Sequence, residues 1–332
     1  MNALPRVALI GTGGTISSLG RDAFDVQDYV SLGQMLDSDG MLARFPEVRE
    51  IAEIVPVAFP PVPSTKIAFA EWQQLVHEID RVTADPDVTG VIILHGTASM
   101  EETAYALNLT VKTDKTVVIT GAQRPASGLA TDAPANMVAA LRVAASPAAR
   151  GLGVLVCVNE EIQAAREVTK TSTWRLQTFR TPDFGILGHA DADSVAIYRH
   201  PVRRHAPDTE FDIRGLDTLP RVDVSYSYAG ADGTAVRAFV AAGAKGIVSA
   251  GFAPGMTPPA EFDALAEAAA AGVAVVQSTR AGSGRVAQLS RISEAGILAA
   301  DNLNPQKARI LLSMALSVTD DPAEITRIFA TY

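Results

Sequence analysis

Short uninterrupted runs of apolar, β-prone residues recur along this chain and alternate with segments of helical length. The runs lie at residues 7–10, 91–94, 116–120, 154–158, 222–225, 246–250 and 273–277, and the helical segments at 102–111, 133–145, 233–242 and 259–271. Strands that are buried on both faces of a parallel sheet read as continuous apolar runs, whereas half-exposed strands alternate. The pattern therefore predicts an α/β protein with a doubly wound parallel sheet.

A length of 332 residues is large for one hydrophobic core, so two domains are expected. The alternation breaks between residues 197 and 219, where polar residues and prolines replace the apolar period. We predict a larger N-terminal α/β domain at 1–205 that carries the candidate chemistry. A linker at 206–220 and a smaller C-terminal α/β domain at 221–332 follow it.

Charge and hydropathy exclude several classes of partner. The chain has 28 Lys and Arg against 37 Asp and Glu, a net charge of −9, and no long block of like charge. It lacks the basic footprint that neutralises phosphates, so nucleic acid is not an expected partner. No stretch approaches the roughly 18 apolar residues of a membrane helix, and no secretory leader pattern is evident, so we expect no membrane contact and a cytoplasmic location.

Cysteine usage excludes two kinds of structural cross-link. The single cysteine, Cys157, lies in the apolar run at 153–158 and is expected to be a buried strand residue. An intrachain disulfide needs a second cysteine, and a structural zinc site needs further ligands of the same kind. We therefore expect neither.

Two of the apolar runs end in glycine and hydroxyl residues, at 11–15 and at 95–99. Open α/β sheets present reactive groups at the carboxyl ends of their strands. In the first turn the glycines allow close backbone approach to a small ligand, and Thr15 is either a candidate nucleophile or a structural threonine. A nucleotide site is not predicted, because Ile16 replaces the last glycine of the dinucleotide fingerprint and no Gly-Lys-Ser/Thr tripeptide occurs.

The second turn carries Thr97 and leads into a helix whose first turn contains Glu101 and Glu102. Acidic residues are typical of helix starts because they interact favourably with the helix dipole. His95, at the start of the turn, is either a base or a histidine that supports the turn. Lys170 lies among hydroxyl residues at 168–173; it is either an ordinary solvated lysine or a base whose pKa is lowered away from water.

Taken together and in this order, the motifs resemble the bacterial-type L-asparaginase family of two-domain amidohydrolases. The resemblance spans nearly the whole chain and includes Thr-Gly-Gly-Thr-Ile at 12–16, His-Gly-Thr at 95–97, Met-Glu-Glu-Thr-Ala-Tyr at 100–105, Gly-Ala-Gln-Arg-Pro at 121–125, and segments at 109–112, 166–171, 248–251 and 303–309. It implies the family's two-domain α/β fold and a homodimer or dimer-of-dimers tetramer with sites at the subunit interface. It implies no metal and no organic cofactor.

The resemblance also implies four catalytic residues. The nucleophile of the family matches Thr15, and the tyrosine that assists it from a mobile loop matches Tyr29. Phe24 is closer to the glycine turn but has no hydroxyl group. The family's second threonine and its lysine match Thr97 and Lys170.

Substrate-binding positions follow from the same resemblance. The serine that holds the substrate α-carboxylate matches Ser64, and Thr65 stands where glutamine is usual. Ala122 matches the position whose backbone receives the side-chain amide. Ser64 and Tyr29 lie on the segments 60–67 and 20–30, which lack a secondary-structure period and are either substrate-contacting loops or plain surface loops.

Three departures from the family pattern concern the group that holds the substrate ammonium. Ala98 followed by Ser99 replaces the Asp-Thr of the family, Met256 lies where a neighbouring subunit would supply asparagine, and no glutamate occurs at 285–290. A desolvated ammonium without its carboxylate costs on the order of 2–5 kcal/mol of binding. We therefore place Ala98, Ser99 and Met256 among the substrate-binding residues and expect an altered substrate.

The expected activity is the release of ammonia from a small carboxylate-bearing amide that has no free α-ammonium. Two alternatives remain open. An ordinary L-asparaginase would need Glu101, Glu167 or a partner residue in place of the missing carboxylate. A non-catalytic small-molecule sensor on the same fold would have no need of two threonines and a lysine.

Overall fold

A computed structural model describes residues 3–332, which divide into two compact units, one up to residue 214 and the other at 215–332. The boundary falls inside the segment 206–220 expected to be a linker. Residues up to 214 nevertheless belong to the first unit, where Phe211 and Ile213 are buried and Gln73 Nε2 donates to the Ile213 carbonyl at 2.8 Å. The linker assignment itself stays a prediction.

The first unit is built on an eight-stranded sheet. Its strands are β1 Arg6–Gly11, β2 Glu53–Val57, β3 Val88–Leu94, β4 Thr116–Thr120, β5 Val154–Val158, β6 Glu161–Ala164, β9 Gly188–Ala190 and β10 Val195–Ile197; a separate ribbon pairs β7 Thr169–Lys170 with β8 Phe179–Arg180. The helices are α1 Tyr29–Leu32, α2 Ser38–Arg44, α3 Phe69–Thr83, α4 Met100–Thr110 and α5 Ala133–Ala145. The sheet order is β10-β9-β6-β5-β4-β3-β1-β2.

Strands β1 to β5 pair in parallel, and β6, β9 and β10 add antiparallel pairs at one side of the sheet. The apolar runs predicted β1, β3, β4 and β5, whose residues are almost all buried. They did not predict β2 or β6 to β10, because these strands are short or carry polar residues. Helices α2 and α5 cover one face, while α3 and α4 pack against the other.

The second unit is a smaller α/β layer structure with a fully parallel four-stranded sheet. Its strands are β11 Val222–Tyr226, β12 Gly246–Gly251, β13 Ala274–Thr279 and β14 Leu298–Ala299, in that order. Its helices are α6 Thr234–Ala241, α7 Pro259–Ala270, α8 Ser290–Glu294, α9 Pro305–Leu316 and α10 Pro322–Thr331. Between residues 3 and 332, no helix is long and apolar enough to cross a bilayer. Both units thus have the predicted α/β architecture.

The strand order makes the carboxyl ends of the parallel strands in the large sheet a suitable place for a ligand. The parallel strands run β2-β1-β3-β4-β5, so the chain leaves β1 in one direction and β3 in the other. Ligands of open α/β sheets bind in the crevice outside the carboxyl ends of the strands at such a switch point. The turns after β1 and β3, which carry Thr15 and Thr97, flank this crevice.

Close packing of α5 on the sheet gives a first testable prediction. A Cβ atom on Gly90 of β3 would lie 2.3 Å from the carbonyl oxygen of Ala144 and 2.8 Å from that of Thr116, both backbone atoms. We expect Gly90→Ala to lower the free energy of unfolding by about 1–3 kcal/mol because the helix must move away. Urea denaturation measures this, with Gly215→Ala, which meets nothing within 4 Å, as the control. Equal stability of the two variants would contradict the packing.

Candidate active site

A cavity of about 300 Å³ lies at the switch point between β1 and β3. All of its lining residues come from the first unit. Seven of the residues singled out in the sequence line it: Thr15, Tyr29, Ser64, Thr65, Thr97, Ala98 and Lys170. Segments distant along the chain therefore meet around one small volume, as ligand sites in α/β proteins do.

Two glycine turns touch each other at the floor of this cavity. Thr12 donates from both its backbone nitrogen and its hydroxyl to the Leu94 carbonyl, at 2.9 and 3.0 Å, and so joins the ends of β1 and β3. A Cβ atom on Gly14, whose φ is +85°, would lie 2.1 Å from the Gly96 Cα. Only glycine permits this approach. It allows Thr15 and Thr97, one residue beyond each glycine, to line the same cavity.

Thr15 and Tyr29 form one hydrogen-bonded pair. Their hydroxyl oxygens lie 2.8 Å apart. Tyr29 is buried at the start of α1, and its burial raises the pKa of the phenol above its usual value of 10.0. The phenol is therefore protonated at neutral pH, so the pair holds two exchangeable protons beside the cavity.

Lys170 and Thr97 form a second pair. Lys170 Nζ donates to Thr97 Oγ1 at 2.7 Å, and Gln123 Oε1 lies 3.5 Å from the same nitrogen. Burial lowers the pKa of Lys170 below its usual 10.5, and the nearby Glu101 carboxylate partly opposes that change. A lysine in this state has a larger neutral fraction near pH 7 than a solvated one, so it is suited to accept a proton.

Glu101 has a different role from the one expected of a helix-start residue. Its side chain is buried, and Oε1 accepts a hydrogen bond from the Lys170 backbone nitrogen at 3.2 Å. It therefore positions the strand that carries Lys170. Sequence reasoning placed Glu101 correctly in the first turn of α4 but could not show its contact with residue 170.

Ser64 and Thr65 lie in a short helical turn at Ser64–Lys66, with Ser64 buried and Thr65 exposed. Ser99 donates from its hydroxyl to the Ser64 carbonyl at 2.6 Å but does not line the cavity. A Cβ atom on Gly96 would lie 2.7 Å from Ser64 Oγ, so the second glycine turn also leaves room for this hydroxyl. Ser99 thus supports Ser64 from behind.

Ala98 lines the cavity and is exposed. Among residues 3–332, the cavity lining contains one lysine, Lys170, and no arginine, aspartate or glutamate. Of the two carboxylates considered as substitutes for the missing aspartate, Glu101 binds the Lys170 backbone and Glu167 pairs with Arg199 at 2.5 Å. Within this part of the chain, no carboxylate faces the cavity.

The remaining predicted positions lie elsewhere. Ala122 is fully buried after β4 and does not line the cavity, whereas its neighbour Gln123 does. The backbone nitrogens of Gln123 and Arg124 donate to the Asp132 carboxylate at 2.9 and 3.0 Å, which fixes this segment. Met256 belongs to the second unit, where it is 54 % exposed.

His95 does not line the cavity. The ring is fully buried, its Nδ1 lies 2.7 Å from the Gly96 carbonyl, and burial lowers its pKa to about 4. It is therefore neutral at pH 7 and supports the second glycine turn, the second of the two roles considered from the sequence.

The cavity also contains residues that the sequence did not indicate. These are mainly uncharged side chains, including Val30, Met35, Pro63, Gln123 and Trp174. Trp174 follows the hydroxyl-rich segment around Lys170, and a tryptophan next to this polar segment was the one signal in the sequence. Residues of loops carry no periodicity, which is why the others were missed.

Comparisons with known proteins give matches over nearly the whole chain. The family model "Asparaginase, N-terminal" matches residues 6–203, and "Glutaminase/Asparaginase C-terminal domain" matches residues 221–329. The chain is 39% identical to L-asparaginase 2 of Bacillus subtilis, covering 99% of this chain and 87% of that protein, and 39% identical to L-asparaginase 2 of Escherichia coli, covering 99% and 94%. A solved structure titled "Probable Cytoplasmic L-asparaginase" from Campylobacter jejuni superposes with a TM-score of 0.93 at 37% identity, covering 98% of this chain and 99% of that one.

Proposed function

The chain belongs to the asparaginase family, whose members hydrolyse amide C–N bonds, and we propose that it releases ammonia from a small carboxylate-bearing amide through Thr15 as nucleophile. The observation that carries this proposal is the pair of hydroxyl contacts in one cavity. Thr15 lies 2.8 Å from Tyr29, and Thr97 lies 2.7 Å from Lys170. In each pair the threonine hydroxyl lies within hydrogen-bond distance of a side chain that can donate or accept a proton.

In the proposed reaction, Thr15 Oγ1 attacks the carbonyl carbon of the side-chain amide and its proton passes to a basic group of the site. The C–N bond then breaks, the nitrogen takes up a proton, and ammonia leaves an acyl-enzyme ester. Water hydrolyses this ester and regenerates the hydroxyl. Lys170, acting through Thr97, accepts the proton, and backbone N–H groups of the glycine turn that carries Thr15 stabilise the oxyanion.

Ser64 and Thr65 bind the substrate carboxylate through their hydroxyl groups in this proposal, and both residues line the cavity. A free α-ammonium finds no carboxylate there, because residue 98 is alanine and Glu101 and Glu167 are engaged elsewhere. Such an ammonium loses on the order of 2–5 kcal/mol of binding. The favoured substrates are therefore N-acylated or deaminated asparagine analogues and other dicarboxylic monoamides.

An ordinary L-asparaginase is the second candidate, supported by the names of the similar proteins. It requires a carboxylate from a partner subunit. We also propose a homodimer or a dimer-of-dimers tetramer, supported by family membership and by the exposure of Ala98 in one chain. The name of the Campylobacter jejuni structure supports a cytoplasmic location.

Ammonia release from a panel of amides tests the proposed chemistry. We expect kcat/KM for succinamate and N-acetyl-L-asparagine to exceed that for L-asparagine. Thr15→Ala should lower kcat at least about a thousandfold, because the nucleophile is lost, whereas Thr15→Ser keeps a hydroxyl and measurable turnover. Undiminished turnover by Thr15→Ala would exclude Thr15 as nucleophile. A kcat/KM for L-asparagine that equals or exceeds every other value would exclude the altered specificity.

Restoring a carboxylate at position 98 tests the proposed cause of that specificity. Ala98→Asp should raise the ratio of kcat/KM for L-asparagine to that for succinamate by about thirtyfold or more, because the ammonium gains a counter-charge. Ala98→Asn is the matched control, since it has the same size without the charge. An unchanged ratio in Ala98→Asp would show that residue 98 does not face the α-position.

The pH profile tests Lys170 as the base. Since the neutral amine accepts the proton, kcat/KM rises as pH increases through the pKa of Lys170. The Glu101 carboxylate raises that pKa, so Glu101→Gln should lower it and move the acid limb to lower pH. Glu102→Gln, on the same helical turn, is the control and should leave the profile in place. If the acid limb of the kcat/KM profile stays in place or moves to higher pH in Glu101→Gln, Lys170 is not the base.

A further inference from the structure

Two large apolar side chains that line the cavity are exposed. Trp174 is 62 % exposed and Val30 is 65 % exposed, and the less exposed Met35 and Pro63 line the same volume. Exposed apolar groups that converge on a concave site indicate contact with an apolar ligand group. We call Trp174 and Val30, with Met35 and Pro63, the apolar wall.

Two residues of the apolar wall lie close in sequence to proposed catalytic residues. Val30 follows Tyr29 on α1. Trp174 lies on the loop between β7 and β8, which starts directly after Lys170, the last residue of β7. Hydrogen bonds hold that loop in place: Thr171 N donates to the Thr178 carbonyl at 2.7 Å, and Ser172 N donates to Thr178 Oγ1 at 2.9 Å. These bonds fix the base of the loop from which the Trp174 side chain lines the cavity.

Met35 is held against the first glycine turn. The Gly14 backbone nitrogen donates to its sulfur at 3.4 Å. The wall thus reaches from the floor of the cavity, beside Thr15, to its exposed rim. A substrate carbonyl in front of Thr15 would leave its other end close to these side chains.

The cavity is larger than a minimal substrate requires. Its volume of about 300 Å³ falls at the lower end of the range for drug-sized ligands, whereas a four-carbon amide acid has only eight or nine non-hydrogen atoms. The exposed methyl group of Ala98 lies on the same lining, where the family aspartate would occupy space and bring charge. The substitution therefore leaves both room and an uncharged surface.

The polar side chains of the cavity favour a hydrogen-bond acceptor over a hydrogen-bond donor on the substrate. Gln123 is buried with Oε1 near the Lys170 ammonium, and its Nε2 has no hydrogen-bond partner within residues 3–332. An unpartnered N–H donor is stabilised by a carbonyl oxygen and gains nothing from an ammonium. An acyl group on the α-nitrogen removes the ammonium and supplies such a carbonyl.

We propose that the substrate is an N-acylated amide acid whose apolar acyl chain packs on Trp174 and Val30. The proposal rests on the function proposed above and selects one member of its substrate class. The reaction is unchanged: water and the side-chain amide give a carboxylate and ammonia, and the N-acyl bond stays intact. Trp174 acts as a specificity residue and takes no part in proton transfer.

The experiment compares L-asparagine derivatives with N-acetyl, N-butanoyl and N-hexanoyl groups, with succinamate as the substrate without a substituent. In the wild-type protein kcat/KM should rise about fourfold for each methylene that packs on the apolar wall. Trp174→Ala should flatten the series, so that the ratio of hexanoyl to acetyl kcat/KM falls towards one. Tyr198→Ala removes an exposed aromatic residue outside the cavity and should keep the wild-type ratio.

Fluorescence supplies a readout that does not need turnover. The chain has two tryptophans, of which Trp72 is 4 % exposed and Trp174 is 62 % exposed. N-Hexanoyl-L-aspartate, the product of the longest substrate, should shift the emission to shorter wavelength by removing water from Trp174. The same probe should leave the emission of Trp174→Phe unshifted, because only buried Trp72 remains.

The outcomes separate the two proposals. Hydrolysis of succinamate and N-acetyl-L-asparagine without any rise along the acyl series would overturn the acyl proposal and leave the proposed function intact. A rise that persists in Trp174→Ala would overturn the assignment of the apolar wall. Preferential hydrolysis of L-asparagine, or no ammonia from any amide, would overturn the proposed function and this proposal with it.

Discussion

The close contact between the glycine turns after β1 and β3 is the constraint on which the candidate site depends. Any side chain on Gly14 would overlap the Gly96 backbone, and one on Gly96 would overlap the Ser64 hydroxyl. Because both residues are glycine, three separate segments converge without steric conflict. The two threonines then line one cavity, and the strand order puts that cavity at the switch point of the sheet.

Burial and charge together determine what this cavity can bind. Lys170 is partly desolvated, the Glu101 carboxylate binds its backbone nitrogen and does not line the cavity, and position 98 offers only a methyl group. Among residues 3–332 the lining therefore carries no anionic side chain, where the family pattern would place an aspartate. The proposed preference for carboxylate-bearing amides without an ammonium follows from this balance, and family membership by itself would not predict it.

The sequence predicted the buried parallel strands well, because burial on both faces leaves an unbroken apolar run. It predicted neither β2 nor the short strands β6 to β10, whose mixed composition resembles that of loops. Seven of the ten candidate residues line one cavity, but Ser99, Ala122 and Met256 do not. The residues that were missed, Gln123 and Trp174 among them, lie on irregular segments with no periodic signal.

The sequence by itself determined which reactive side chains are present: two threonines after glycine turns, a lysine among hydroxyl residues, and alanine where the family has aspartate. These facts depend only on residue type and order. The tertiary structure alone decided which groups meet, since Lys170 contacts Thr97 across 73 positions of the chain and Thr15 contacts Tyr29 across 14. Such distances are set by sheet order and by loop paths, which arise from the packing of the whole unit and leave no local pattern in the sequence.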